Sequence, residues 1–378
     1  MASCFFAFDI KWRDAFRMSC FANTGSSHVH LFSNTFMNNI SLHRISTVVL
    51  SLISASVSTS VFACASCGCT LSSDWENQGF STQPGWKLDL RYDQLNQDQL
   101  RSGRKTISPG AASQVVTSNG NQEVEKYTKN KYYTATIDYS SSADWGVSLL
   151  LPYIERTHST LGTNSDGATP GGLLGNGGGG EYDSKTSSLG DVKVIGRYHG
   201  FSPQRNFGIL FGLKLPTGSF SKTGTSTDVT APGSSAIDPG LQPGTGSTDL
   251  ILGAYYFDAL SKDFDYFTQA TVQTTVKSRN GYTPGTGYNL NLGLRYMGFE
   301  SVIPQLQLNA RYVEHDAGTL ADQISTGGTL AYLSPGIVMP LTKQASIYGF
   351  VQVPVYQNVR GVQLTPHYTA SAGVRFSF

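Results

Sequence analysis

The amino-acid sequence predicts an all-β chain that closes into a transmembrane antiparallel up-and-down barrel of about 12 strands, with short turns at one rim and long loops at the other. Three observations predict it. Segments of strand length alternate apolar and polar side chains with period 2 along most of the chain. The connections between those segments sort by parity into long and short. The composition is poor in charge (14%) and rich in Gly (41), Tyr (19) and Phe (20), which suits an all-β membrane protein better than a soluble enzyme. A formal net charge of +1 over 378 residues argues against a nucleic-acid partner.

Residues 1–63 are read as a leader. His43 and Arg44 precede an apolar, Ser-punctuated stretch from Ile45 to about Val57, and Val61-Phe62-Ala63 gives small or β-branched residues at the −3 and −1 positions of a cleavage site after Ala63. Met37 is the expected start, because residues 1–36 add no further signal. Residues 64–84 then form a cysteine-containing segment and a candidate plug, and 85–378 form the barrel.

Strands are expected over 85–93, 130–139, 144–155, 190–199, 206–216, 248–258, 264–277, 287–298, 303–314, 328–339, 345–356 and 367–378. Trp86, Leu88, Leu90 and Tyr92 oppose Lys87, Asp89, Arg91 and Asp93; Leu290, Leu292, Leu294 and Tyr296 oppose Asn289, Asn291, Gly293 and Arg295; Leu306, Leu308, Ala310 and Tyr312 oppose Gln305, Gln307, Asn309 and Arg311. Each run has about the 9–11 residues that a tilted strand needs to cross a bilayer. The odd connections (94–129, 156–189, 217–247, 278–286, 315–327, 357–366) include the long ones, and the even connections (140–143, 200–205, 259–263, 299–302, 340–344) are tight turns. Aromatic residues near strand ends, among them Trp86, Tyr92, Tyr139, Trp145, Tyr153, Tyr198, Tyr255, Tyr256, Tyr296, Phe299, Tyr312, Phe376 and Phe378, fit interfacial girdles. The glycine-rich stretch 160–184 is read as a surface loop, since no helix pattern follows it to build a phosphate cradle.

With the apolar faces toward lipid, the opposite faces line the interior. They carry eight bases (Lys87, Arg91, Lys193, Arg197, Lys214, Arg295, Arg311, Arg375) and three acids (Asp89, Asp93, Asp138), with Gln269, Gln273, Gln305, Gln307 and Asn309 as neutral lining. Two roles fit: carboxylates brace some of the bases against the wall, or a cationic wall favours anionic solutes. Arg295, Arg311 and Arg375 are the candidate cations beside the solute path. A barrel of this size falls between side-chain-filled eight-stranded barrels and open sixteen-stranded ones.

The closing stretch, Tyr368 to Phe378, resembles the last strand of a bacterial outer-membrane barrel, whose terminal Phe, here Phe378, is implied to be read by the barrel-assembly machinery. GLKLPTGSF (Gly212–Phe220) followed by LQPGTGSTDLILGAYYF (Leu241–Phe257) resembles the outer-membrane family named for a link to the meta-pathway of phenol degradation. Pro216 ends a strand, and Gly218, Gly244 and Gly246 permit a backbone folded back over a barrel mouth. The resemblance implies a bacterial outer-membrane channel or facilitator for passive uptake of small molecules, of the aromatic or organic-acid class, surrounded by outer-membrane lipid.

Cys64, Cys67 and Cys69 are extra to that family's pattern. They are candidates for a disulfide in an oxidising compartment, for a soft metal held by close thiolates, or for lipidation at Cys64. Gly68 after Cys67 excludes the C-x-x-C-H pattern of haem attachment, and no cofactor is expected. His158 and His315-Asp316 do not complete a hydrolytic constellation, so no enzyme is expected. The alternative reading is a structural or receptor-type barrel whose Cys-rich segment binds a partner or metal.

Overall fold

A computed structural model describes residues 84–117, 120–121, 124–161, 181–226, 233–279 and 281–378. The leader, Met37, the Ala63 cleavage site, Cys64, Cys67, Cys69, nearly all of the candidate plug and the centre of the glycine-rich stretch lie outside the described residues.

The described chain is a closed antiparallel sheet. Its main strands are β1 (Gly85–Gly103), β2 (Val124–Ser140), β3 (Trp145–Leu161), β4 (Glu181–Leu189), β5 (Val192–Tyr198), β6 (Phe207–Leu215), β7 (Thr248–Ala259), β8 (Phe264–Lys277), β9 (Gly287–Tyr296), β10 (Ile303–Val313), β11 (Gly328–Pro340) and β12 (Ala345–Ser377), with three short strands, Lys105–Thr106, Thr223–Ser226 and Gly233–Ala236, added at the long-loop rim. β4 and β5 lie end to end along β3, which pairs through Tyr153–Leu161 with the first and through 145–150 with the second. The β3–β5 pairing closes the ring, and every neighbouring pair in it is antiparallel. Leaving out β4, the ring has eleven members. An all-antiparallel ring cannot close on an odd number, so one member must reverse. It is β12. Its 33 residues would span about 110 Å if straight, and its first half pairs with β11 while its second half pairs with β1. The reversal sits at Gly361, in the left-handed region at φ +58. The barrel therefore has twelve crossings, as the sequence predicts.

The sidedness of the wall is that of a membrane barrel. Leu90, Leu252, Leu290, Leu292, Leu306, Leu308, Ile337 and Val353 are exposed on the outer face, whereas Asp89, Asp138, Asn130, Gln269, Asn291 and Asn309 are buried inside. Aromatic pairs border the apolar belt. Trp86–Tyr139, Trp145–Tyr198 and Phe264–Tyr296 stand near the short turns. Tyr92–Tyr133, Tyr133–Tyr153 and Tyr288–Tyr312 stand at the opposite edge. No helix among the described residues is long and apolar enough to cross a membrane.

Three expected boundaries are corrected. β1 and β2 run well past 93 and before 130, and β3 runs to Leu161, so much of the expected 94–129 and 156–189 loops is strand. Above the aromatic edge the outward positions meet water, so Lys129 and Lys131 are exposed while Leu95 and Leu100 are buried, and the apolar-out alternation vanishes although the strands continue. The expected long connection 357–366 is a tight reversal inside β12, where the Gln357 amide donates to the Pro366 carbonyl. Tyr255, expected in a girdle, points inward and is 4% exposed.

The long loops interlock over one mouth. The short helix Pro109–Ala112, capped by Ser108, buries Ala112 among Leu100, Val124, Val362 and Leu364. Phe220 stacks on Tyr282 at 5.9 Å, the Tyr282 hydroxyl donates to Asp316, and the Gln363 amide donates to the Gly327 carbonyl. The segment 216–247 is thereby tied through two further loops to the tip of β12.

Candidate functional site

The candidate site is the lumen and the loop that enters it. Directly paired residues of a sheet share a face, and the register places every charged side chain expected in the interior. Arg197 makes an ion pair with Asp138 and donates to Ser140, while Ser148 donates to the same carboxylate at 2.6 Å. Lys87 stands directly across from Asp138. Arg375 reaches Asp89 at 3.1 Å, and the Tyr348 hydroxyl donates to Asp89 at 2.9 Å. Arg91 pairs with Asp93 at 2.9 Å, and Ser371 donates to Asp93 at 2.5 Å. Arg295 pairs with Asp265 at 2.5 Å. Lys193 stands across from Lys214, and Arg311 across from Asn289.

Sequence reasoning missed three acids here. Asp191 and Asp249 lie 2.9 and 3.3 Å from the Lys214 ammonium, and Asp265 holds Arg295. With them the eight bases face six acids instead of three. The signal for all three was strand parity: Asp249 and Asp265 lie in the expected strands 248–258 and 264–277, and Asp191 lies in the expected strand 190–199 at the parity of Lys193 and Arg197, although it sits at the break between β4 and β5.

The two ends of the connection after β6, residues 216–222 and 237–247, are held at the mouth by two clamps, while Thr223–Ser226 and Gly233–Ala236 pair as strands beside β4. The first is Asp191. Its Oδ1 accepts from the Gly218 backbone N–H at 3.0 Å, and its Oδ2 accepts from the Thr245 N–H at 2.9 Å, the Thr245 hydroxyl at 2.7 Å and the Lys214 ammonium at 2.9 Å. One carboxylate thus fastens the loop where it leaves the wall and where it returns. Lys214 also donates to the Ser247 carbonyl at 3.0 Å. Gly218 and Gly244 touch there: a Cβ on Gly218 would lie 2.6 Å from the Gly244 Cα, and Gly246 adopts φ +68. The folded-back backbone expected of these glycines is present.

The second clamp is Arg156, which sequence reasoning left just beyond a strand end. It projects inward beside Asn130, to which its Nε donates at 2.5 Å, and its Nη2 donates to the Tyr132 hydroxyl at 3.2 Å. Its Nη1 reaches the Gly240 and Gln242 carbonyls at 3.2 and 3.4 Å. Asp238 accepts from the Gly240 N–H at 2.7 Å, and the Gln242 side chain bonds Lys222 at both its N–H and its carbonyl, so the loop tip is itself braced.

Aromatic side chains also enter the lumen near the short-turn rim. Phe267, Tyr348 and Phe350 cluster with Val338, and Phe257 and Ile303 pack against them. Several rings lie over glycines of the neighbouring strand: Phe267 over Gly293, Tyr348 over Gly373 and Tyr255 over Gly208. The missing side chains make room for rings that would otherwise collide with the next strand. Neutral amides form a row above them, with Asn291 donating to Gln269 at 3.0 Å and Asn309 donating to Asn291 at 2.9 Å. The lumen thus presents paired charges interspersed with rings and amides, and a clamped loop at the far mouth. Among the described residues no cluster of His, Cys, Asp and Glu is arranged to hold a metal ion.

No family model matches this chain, and no curated protein matches it. Solved structures do. The COG4313 outer membrane channel from Pseudomonas putida F1 aligns with a TM-score of 0.51 and 12% identity, over 78% of this chain and 96% of that one. The β domain of the Bordetella autotransporter BrkA gives 0.43 and 14% over 78% and 100%, and the Ralstonia pickettii toluene transporter TbuX gives 0.43 and 10% over 80% and 91%. At these identities the first likeness is one of fold, and the two lower scores add no argument.

Proposed function

We propose that this chain is a bacterial outer-membrane channel that lets small molecules diffuse across with no chemical step. The observation that carries the reading is the inward loop. Receptors present loops outward, whereas here residues 238–247 are fastened to inward-facing Arg156, Asp191 and Lys214 and narrow the path. With Arg156 the bases assigned to the lumen number nine against six acids, and the engagement of five of the bases by these acids supports weak ion selectivity in place of a strongly cationic wall. The inward rings support small flat solutes of the aromatic class, with aromatic acids disfavoured. Phe378, exposed at the short-turn rim beside Trp86, is the proposed contact for the assembly machinery.

Planar-bilayer recording tests the reading, with folding shown independently by heat-modifiable gel migration. The expected result is a small discrete conductance with a reversal potential near zero in a salt gradient. Silence from folded protein would reject the open channel, and strong anion selectivity would reject the balanced lumen.

A further inference from the structure

Three lumen glutamines have amides that are buried yet incompletely bonded. Gln305, Gln307 and Gln352 are 6%, 2% and 3% exposed. Both amide atoms of Gln305 and the Nε2 of Gln307 and of Gln352 have no hydrogen-bond partner, while the Gln307 Oε1 accepts from Asn309 at 3.1 Å. Exchanging the amide oxygen and nitrogen of Gln305 would still leave one donor and one acceptor unpaired. Buried amides without partners are costly, and such groups are rare unless something else completes them.

The register gathers these residues on one patch of the inner wall. Gln307 is opposite Ser334, and the flanking pairs Leu333 with Val353 and Gly336 with Phe350 set Ser334 opposite Gln352. Gln305 is one row nearer the short turns, opposite Gly336, which in turn faces Phe350. Gly336 has no side chain to interrupt the patch, and a Cβ there would stand 3.3 Å from the Gln305 nitrogen. Gly293, opposite Gln307, is overlain by Phe267. The patch therefore combines unpaired amide groups with the rings of Phe267 and Phe350. Arg295 stands directly opposite Gln305 and is engaged by Asp265, which offsets its charge beside the patch.

We propose that this patch is a binding station for an uncharged, flat solute that carries a hydrogen-bond acceptor, such as a carbonyl oxygen on an aromatic ring. The station rests on the channel reading above and names the solute chemistry for it. The glutamine side chains turn out from the wall so that the carbonyl accepts from their N–H groups, and the ring packs against Phe267 and Phe350 in offset or edge geometry. A carboxylate gives up more hydration than neutral amides return, and a pure hydrocarbon leaves the amides unpaired.

The test is a saturation-transfer NMR titration of the barrel in lipid nanodiscs with benzamide and, separately, benzoate. Wild type is expected to bind benzamide saturably and more tightly than benzoate, and Gln305→Leu/Gln352→Leu to raise the benzamide half-saturation about tenfold. Leucine keeps the volume and removes the unpaired groups, so the variant is expected to fold; the single Gln352→Leu, expected to weaken binding about threefold, replaces it if gel migration shows otherwise. An unchanged titration in the variant, benzoate bound as tightly as benzamide, or no saturable benzamide signal would overturn the station. Bilayer currents from the same preparations report on the channel separately: current without benzamide binding overturns the station and keeps the channel, and binding without current does the reverse.

Discussion

Asp191→Asn is the substitution that most directly tests whether the inward loop is held in place. Side-chain size hardly changes, so any opening reports lost retention and not a wider hole. Asp191 accepts four hydrogen bonds, three of them from the loop residues Gly218 and Thr245, and it is 7% exposed. An amide in its place keeps one acceptor atom. Whichever way it turns, its NH2 group meets a donor, either the Gly218 N–H or the Thr245 N–H and the Lys214 ammonium, and the charge that paired Lys214 is lost, which leaves that cation with Asp249 at 3.3 Å. Breaking one member of a buried, bonded ion pair costs about 3–5 kcal/mol. Only part of that cost falls on the loop, because the Lys214 contact lies within the wall. Taking about 3 kcal/mol as the loop's share, the ratio of open to clamped loop rises on the order of a hundredfold. Single-channel recording should show this as frequent transitions to a larger conductance that are rare in wild type. The effect should persist at high salt, since a buried pair is poorly screened. Lys214→Met added to Asp191→Asn should cost less than the sum of the single changes, because the stranded ammonium is removed. If transition frequencies in folded Asp191→Asn stay within threefold of wild type, the carboxylate is not what holds the loop.

Other expectations follow from the same geometry. Arg197→Met strands the buried Asp138 carboxylate with Ser148 as its remaining neutral donor, and should destabilise the barrel by about 3 kcal/mol, read as a lower temperature of heat-modifiable migration. Asp265→Asn frees the charge of Arg295 from its ion pair and should move the reversal potential toward anion selectivity, whereas Leu292→Ala on the lipid face should leave it unchanged. Burial raises the Asp322 carboxyl above its ordinary value in the loop 314–327, so the folded loop binds a proton more tightly than the unfolded chain; that extra stability is complete below the ordinary carboxylate range and lost as pH rises through the raised value. The protection of residues 316–327, that is exchange relative to the intrinsic rate at each pH, should therefore rise on mild acidification, and Asp322→Asn, which keeps the acceptor for the Ile324 and Ser325 N–H groups, should raise it at neutral pH and remove its change with pH.

The barrel was legible where lipid dictates the sequence. Along β9 and β10 the outward residues must be apolar, so Leu290, Leu292, Leu306 and Leu308 write a period that cannot be mistaken for a helix. Legibility ends at the aromatic edge. Past Tyr92 and Tyr133 the same strands continue into water, where Gln94, Asn96, Lys129 and Lys131 satisfy the outer face as well as an apolar residue would, and nothing in the pattern distinguishes strand from loop. The reversal at Gly361 falls inside the expected connection 357–366, but its tightness was not legible for a related reason: the flanking strands continue past the membrane edge, where nothing in the pattern separates strand from loop.

The lumen was harder to read because its inner face obeys no single rule. A soluble core must exclude charge and a lipid-facing wall must exclude it too, but an inward position of a membrane barrel can hold Asp89, Phe350 or Gln352 on the same or neighbouring strands. Parity tells which face of a strand a residue takes, and by the register Arg197, Lys214, Arg295 and Arg375 share faces with inward acids. It does not tell which of them meet. Asp191 lies in the break between β4 and β5, and the Arg156 contacts depend on a loop more than eighty residues away. Inward aromatics were assigned to the girdles for the same reason: Tyr255 and Tyr256 are adjacent in sequence, and one faces His199 inside while the other meets Tyr266 on the next strand. The consequence is physical as well as predictive. The backbone ladder in lipid supplies the barrel with stability that does not depend on a sealed apolar interior. The interior is then free to keep amides unpaired and a loop clamped by Arg156, Asp191 and Lys214, the features on which the proposed passage of a solute depends.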